Sequence, residues 1–95
     1  MYTISSKVYL EVAERLSALI GSLNYYSGWF EFESDELSCR MVLSIFIHRH
    51  KETLPEGRVV DVIDNIIPVW WEFHTYVDGE EVLNNFSFNE LREFI

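Results

Sequence analysis

The chain has one cysteine, two prolines and four glycines among its 95 residues, and each shortage closes off a class of structure. A lone Cys39 cannot form an intramolecular disulfide, and no CxxC metal or redox motif exists, which fits a reducing compartment. Its alternation with Met41, Leu43 and Ile45 reads as a small buried hydrophobe rather than a nucleophile. So little glycine leaves no loop to cradle phosphate, and there is no Gly-x-Ser-x-Gly elbow. Basic residues are scarce too. Seven Lys and Arg against sixteen Asp and Glu give a formal charge of −9, with no basic stripe to hold a nucleic-acid backbone. No apolar run approaches the roughly 20 residues of a membrane-spanning helix. Residues Met1 to Lys7 lack a basic stretch followed by an apolar one. These absences predict a cytoplasmic protein that touches neither nucleic acid nor membrane.

What the chain does have is apolar material. With 48% hydrophobic and 16% aromatic residues, it can offset the entropy of ordering one core, and at this length not two. No repeat, low-complexity tract or linker divides it, so residues 1–95 are expected to form a single domain.

Between about Ser6 and Leu23, Val8, Val12, Leu16, Leu19, Ile20 and Leu23 recur at helical spacing. An amphipathic helix is predicted there, capped by Ser5 or Ser6 and punctuated by Gly21 and Asn24. From Tyr25 the period becomes two, with Tyr26, Phe30 and Phe32 on one face and Tyr25, Trp29, Glu31 and Glu33 on the other. After a polar turn at Ser34, Asp35 and Glu36, a second strand runs from Leu37 to about His50. It sets Cys39, Met41, Leu43, Ile45 and Ile47 against Arg40, Val42, Ser44, Phe46, His48 and His50. So short a turn makes this pair an antiparallel hairpin.

Leu54-Pro55-Glu56-Gly57 reads as a loop. Val59 to Ile67 stays open between a helix or irregular turn and a strand: its apolar spacing is helical, its β-branched residues favour a strand, and Pro68 discourages a helix before it. Val69 to Val77 reads as a strand with Trp70, Glu72, His74 and Tyr76 opposite Val69, Trp71, Phe73, Thr75 and Val77. A one-residue slip would exchange Trp70 for Trp71. Asp78-Gly79 marks a hairpin into a short strand from Glu80 to Asn84. Ser87-Phe88-Asn89-Glu90 has capping-box spacing for a terminal helix docked by Phe88, Leu91 and Ile95. The expected fold is α+β: an N-terminal helix packed on a three- or four-stranded antiparallel meander, with a short C-terminal helix.

Three constellations are candidates for function. His48 and His50 project from one strand face, and His74 joins them if the third strand aligns, with Glu72 and Glu31 to complete a transition-metal site. The ordinary reading of the same residues is solvated sheet-face histidines. Carboxylates pair at Glu31 and Glu33, at Asp35 and Glu36, and at Glu80 and Glu81. They flank turns or a wet strand, which suits a solvated acidic edge better than acid–base catalysis in a cleft. Finally, one helix covers only one sheet face, leaving Phe46 with Trp29, Trp70, Tyr76 and Tyr25 among Glu31, Glu72, His48 and His74. That mixture has the composition of an interface, unless the terminal helix or the 59–67 segment covers it.

The stretch Pro68-Val69-Trp70-Trp71-Glu72-Phe73-His74-Thr75, with Asp78 to Asn84 and Phe86-Ser87-Phe88 after it, resembles a segment of small uncharacterised bacterial proteins. The resemblance covers the last third of the chain and implies a bacterial accessory protein, with no activity attached.

The sequence thus points to a non-enzymatic, acidic protein-interaction module without a cofactor. Its partner contacts are Trp29, Phe46, Trp70, Glu72 and Tyr76, and a homodimer through the sheet face is a further way to bury them. A metal-binding protein or metal-dependent enzyme built on His48, His50 and His74 is the competing class. An acidic inhibitor that uses Glu31, Glu33, Asp35 and Glu36 to occupy a basic nucleic-acid-binding or toxin surface is a third.

Overall fold

Helix α1 (Ser6–Ile20) begins where extended Ser5 accepts the Val8 amide through Oγ at 3.4 Å, and it ends at Gly21 with φ 45°. The carbonyls just past its C-terminal end find a partner in the sheet. The Arg49 guanidinium donates to Gly21 O at 2.7 Å and to Leu23 O at 2.8 Å. Val8, Val12, Leu16 and Ile20 are buried as their spacing predicts, joined by Tyr9 and Ala13. Leu19 and Leu23, expected in the core, are instead 43% and 50% exposed. The buried stripe follows the i, i+4 row through Tyr9 and Ala13, and Leu19 falls outside it.

In this computed structural model, which describes residues 1–95, α1 packs on a four-stranded antiparallel sheet of order β1-β2-β3-β4. The strands are β1 (Tyr25–Ser34), β2 (Leu37–Thr53), β3 (Val59–Val77) and β4 (Glu80–Val82). Phe32 from β1, Cys39, Met41, Leu43, Ile45 and Ile47 from β2, and Ile66 and Phe73 from β3 form the sheet side of the core. Burying a Leu, Ile or Met side chain contributes roughly 1.5–3 kcal/mol, so this layer and the α1 and C-terminal residues packed on it share the driving force.

The open question at Val59 to Ile67 resolves as strand. β3 runs 19 residues without a break and pairs with β2 from Val59 opposite Thr53 to Tyr76 opposite Ser38. Two extra residues interrupt the ladder, Val69 between the Ser44 and Ile45 pairings and Asp64 between those of His48 and Arg49. Pro68 sits beside the first irregularity, where a strand tolerates a missing N–H. Asp78 and Gly79, both at positive φ, turn the chain into β4 as that dipeptide predicts. β4 is shorter than expected because Asn84 leaves the sheet to bridge Tyr2. The Asn84 amide donates to Phe73 O and Thr75 Oγ1 at 3.0 and 3.1 Å.

The terminal helix α2 (Phe88–Leu91) continues into a single 3-10 turn at Arg92–Phe94. Ser87 is its N-cap, but the expected side-chain cap is absent. The Ser87 amide donates to the Tyr9 hydroxyl at 2.9 Å, and its carbonyl accepts from Leu91. Tyr9 stacks on Phe86 and Phe94, and Phe86 stacks on Phe73 with ring centroids 4.2 Å apart. The C-terminal segment therefore docks on the helix side of the sheet and leaves the other side bare.

Candidate functional site

Antiparallel registers of both hairpins align the outward residues of three strands into rows across the uncovered face. Tyr25, Phe46 and Ile67 form one row, Ser27, Ser44 and Trp70 the next, and Trp29, Val42 and Glu72 the third. Tyr25 and Phe46 meet with ring centroids 5.0 Å apart, a cross-strand aromatic pair. The Ser27 and Ser44 hydroxyls share a hydrogen bond of 2.8 Å, so the second row is a low notch between two aromatic ridges, with Trp70 at its end. Trp29 is 57% exposed, Trp70 49%, Phe46 48% and Tyr25 46%. Exposure on that scale, concentrated in adjacent rows, marks an apolar patch rather than scattered surface residues.

Of the expected contacts, Trp29, Phe46 and Trp70 lie in this patch, with Glu72 on its border. Tyr76 lies two rows further on, opposite Ser38 and half-buried. Trp71 faces the other way, packed on Phe86 and Phe88 at centroid distances of 5.5 and 6.1 Å.

Beyond the third row the face turns polar. Arg40, opposite Glu31 and His74, lays its guanidinium 5.0 Å from the Trp29 ring centre in a cation–π contact. The His74 ring lies between Glu72 at 3.2 Å and Glu81 at 3.3 Å, and those two carboxylates raise its pKa above the ordinary value. A shallow depression of about 360 Å³ follows, lined among others by Glu31, Glu33, Ser38, Arg40 and Tyr76. Burial pushes the Cys39 thiol up to about 11, so it is no nucleophile at neutral pH.

The acidic edge is larger than the sequence suggested. Glu31 and Glu33 face outward from β1, while Asp35 and Glu36 form the β1–β2 turn, where Asp35 pairs with Lys7 at 3.0 Å. Pairing Ser38 with Tyr76 brings the β3–β4 turn alongside, adding Asp78, Glu80 and Glu81. With Glu72 this end gathers eight of the sixteen carboxylates. That convergence depends on register, which spacing along the chain does not carry.

The histidine triad does not assemble. His74 is opposite Arg40 and His48 opposite Asn65, eight β2 positions apart, or about 26 Å at 3.3 Å per residue. His50 is taken up by its own neighbours, Asp64 at Nδ1 and Glu52 at Nε2, the latter at 2.7 Å. No group of three or more His, Cys, Asp and Glu side chains is placed to hold a metal ion.

At the far end β2 and β3 run on past β1 as a two-stranded arm, which makes the molecule 51 Å long. Leu54, Val60 and Val62 on this arm are half-buried, and Val59 is exposed. No helix is long and apolar enough to cross a membrane. Comparison of the chain with family models, curated proteins and solved structures finds no match.

Proposed function

We propose that the chain is a protein-interaction module whose contact surface is the sheet face opposite α1. The observation that carries this reading is the exposed set of Tyr25, Trp29, Phe46, Ile67 and Trp70 on adjacent rows. Rigid aromatics among small hydroxyls are the composition of a binding centre, and Arg40, Glu72 and His74 supply a polar rim. The docking of α2 on the other side favours the same reading, because the chain's own last third leaves this face uncovered.

A metal-centred function draws no support from the separated histidines. The acidic-inhibitor reading rests on the carboxylates of the two adjoining turns, and they would steer a basic partner toward the same face. Photo-crosslinking in the native cell tests the main proposal. Replacing Phe46 with p-benzoylphenylalanine is expected to give discrete covalent adducts, while the same replacement of Leu10, exposed on the outer side of α1, gives none. Equal yields at both positions, or none at position 46, would overturn the proposal.

A further inference from the structure

Resting on that reading of the open face, we propose that its occupant is a second copy of this chain, packed face to face with the long strands of the two copies antiparallel. A two-fold interface must carry its own complement, since each patch meets itself. The open face does so: the Ser27 and Ser44 notch lies between the Tyr25–Phe46 ridge and the Trp29–Val42 ridge. Setting the notch row on the two-fold axis places each copy's Tyr25–Phe46 ridge toward the partner's Trp29–Val42 ridge. The first two rows contain no charged residue, so the centre of such an interface strands no ion.

Area agrees. Three strands about 4.8 Å apart give a face about 14 Å wide. Three strands persist over the ten residues of β1, about 33 Å, and the arm adds two strands about 10 Å wide over the rest of the 51 Å length. The face thus offers roughly 600 Å² per copy, at the lower end of the ~600–1,000 Å² per partner of standard interfaces. The arm belongs to this count. A two-stranded ribbon is marginal in water on its own, and Val60 and Val62 lie on its open side as a continuation of the patch.

Charge selects the orientation. Two chains of −9 repel, and strands running the same way would stack one eight-carboxylate end on the other. Antiparallel packing sends the two acidic ends to opposite extremities, several Debye lengths of about 8 Å apart. Each then lies beside the partner's arm, whose open side carries Val60 and Val62 with Glu52, while Arg49 and Lys51 point to the α1 side. His48 and His50 face the acidic rim from that arm.

Sedimentation equilibrium of the full chain across the micromolar range tests this. The expected mass is twice the 11.3 kDa of the chain, falling to 11.3 kDa for Ser44→Arg and for Trp70→Glu with far-UV circular dichroism unchanged. A nitroxide on Thr53→Cys reads the orientation, because Cys39 is buried and does not compete for label. Antiparallel packing places the two labels at opposite ends, and a close pair would overturn it. A wild-type chain that stays monomeric overturns the second-copy proposal. If the position 46 crosslinker in that case still captures a different protein, the interaction-surface reading stands without it. A dimer that neither variant weakens is built on another surface and overturns the proposal as well.

Discussion

The Tyr9 hydroxyl accepts a hydrogen bond of 2.9 Å from the amide of Ser87, 78 residues further along the chain. This bond, rather than a side-chain cap, fixes where the last segment leaves the sheet and enters α2. Replacing Tyr9 with Phe keeps the stacking on Phe86 and Phe94 and removes the acceptor. The expected loss is about 1 to 3 kcal/mol for a part-buried amide left unpaired, measured by chemical denaturation. Ser87→Ala, which keeps the amide, is expected to cost less.

Trp70 and Trp71 are adjacent and have opposite surroundings. Trp71→Ala removes a ring packed on Phe86 and Phe88 and is expected to cost about 2 to 4 kcal/mol, somewhat below the range for fully buried aromatic truncation because Trp71 is only half-buried. Trp70→Ala in the isolated chain under monomeric conditions is expected to stay within about 1 kcal/mol of wild type. Thermal denaturation of both variants checks the β3 register, and equal losses would contradict it.

His74 sits between Glu72 and Glu81, and His50 between Glu52 and Asp64, so both imidazoles titrate above their ordinary value. A folded pKa above the unfolded value of roughly 6.5 means stabilisation that is complete below the unfolded value and is lost as pH rises through the folded one. NMR titration of the ring protons is expected to show both midpoints raised. In Glu72→Gln the His74 midpoint should fall while that of His50 stays in place.

Cys39 faces the core beneath α1, opposite Phe32 and Thr75, and its thiol is pushed up to about 11 by burial. Iodoacetamide at neutral pH is therefore expected to leave the folded chain unmodified and to alkylate it fully in denaturant. The rate in intermediate denaturant then reports opening of the core.

Where one period holds for a whole element, the sequence was sufficient. The alternation of β2 from Cys39 to Ile47 predicted its buried face residue by residue, and the Asp78-Gly79 turn and Ser5 cap were legible for local chemical reasons. Val59 to Ile67 was not legible, for two reasons. Only the tip of the arm, from Val59 to Val62, lies beyond the core, so its apolar residues need not alternate, and the extra residue Asp64 shifts the phase just where a period of two would have shown. The aromatic side of the candidate surface could be read at Trp29 and Phe46 from alternation, but alternation left open whether Trp70 or Trp71 faced outward, which the packing of Trp71 on Phe86 and Phe88 decides. The separation of the histidines and the gathering of eight carboxylates could not be read, since both depend on which residue of β2 meets which residue of β3.

Val69, like Asp64, is a residue that period-two alternation does not require. Counting without it, Ile66 and Pro68 face the helix side and Ile67 and Trp70 the open side, as they do in the folded chain. The strand thus holds a letter that can be struck out while every other letter keeps its meaning. A chain lacking Val69 is expected to keep both faces intact. In an alignment of relatives this position would then show up as a gap before it showed up as a substitution, and a shortened strand there would signal the same surface rather than a different one.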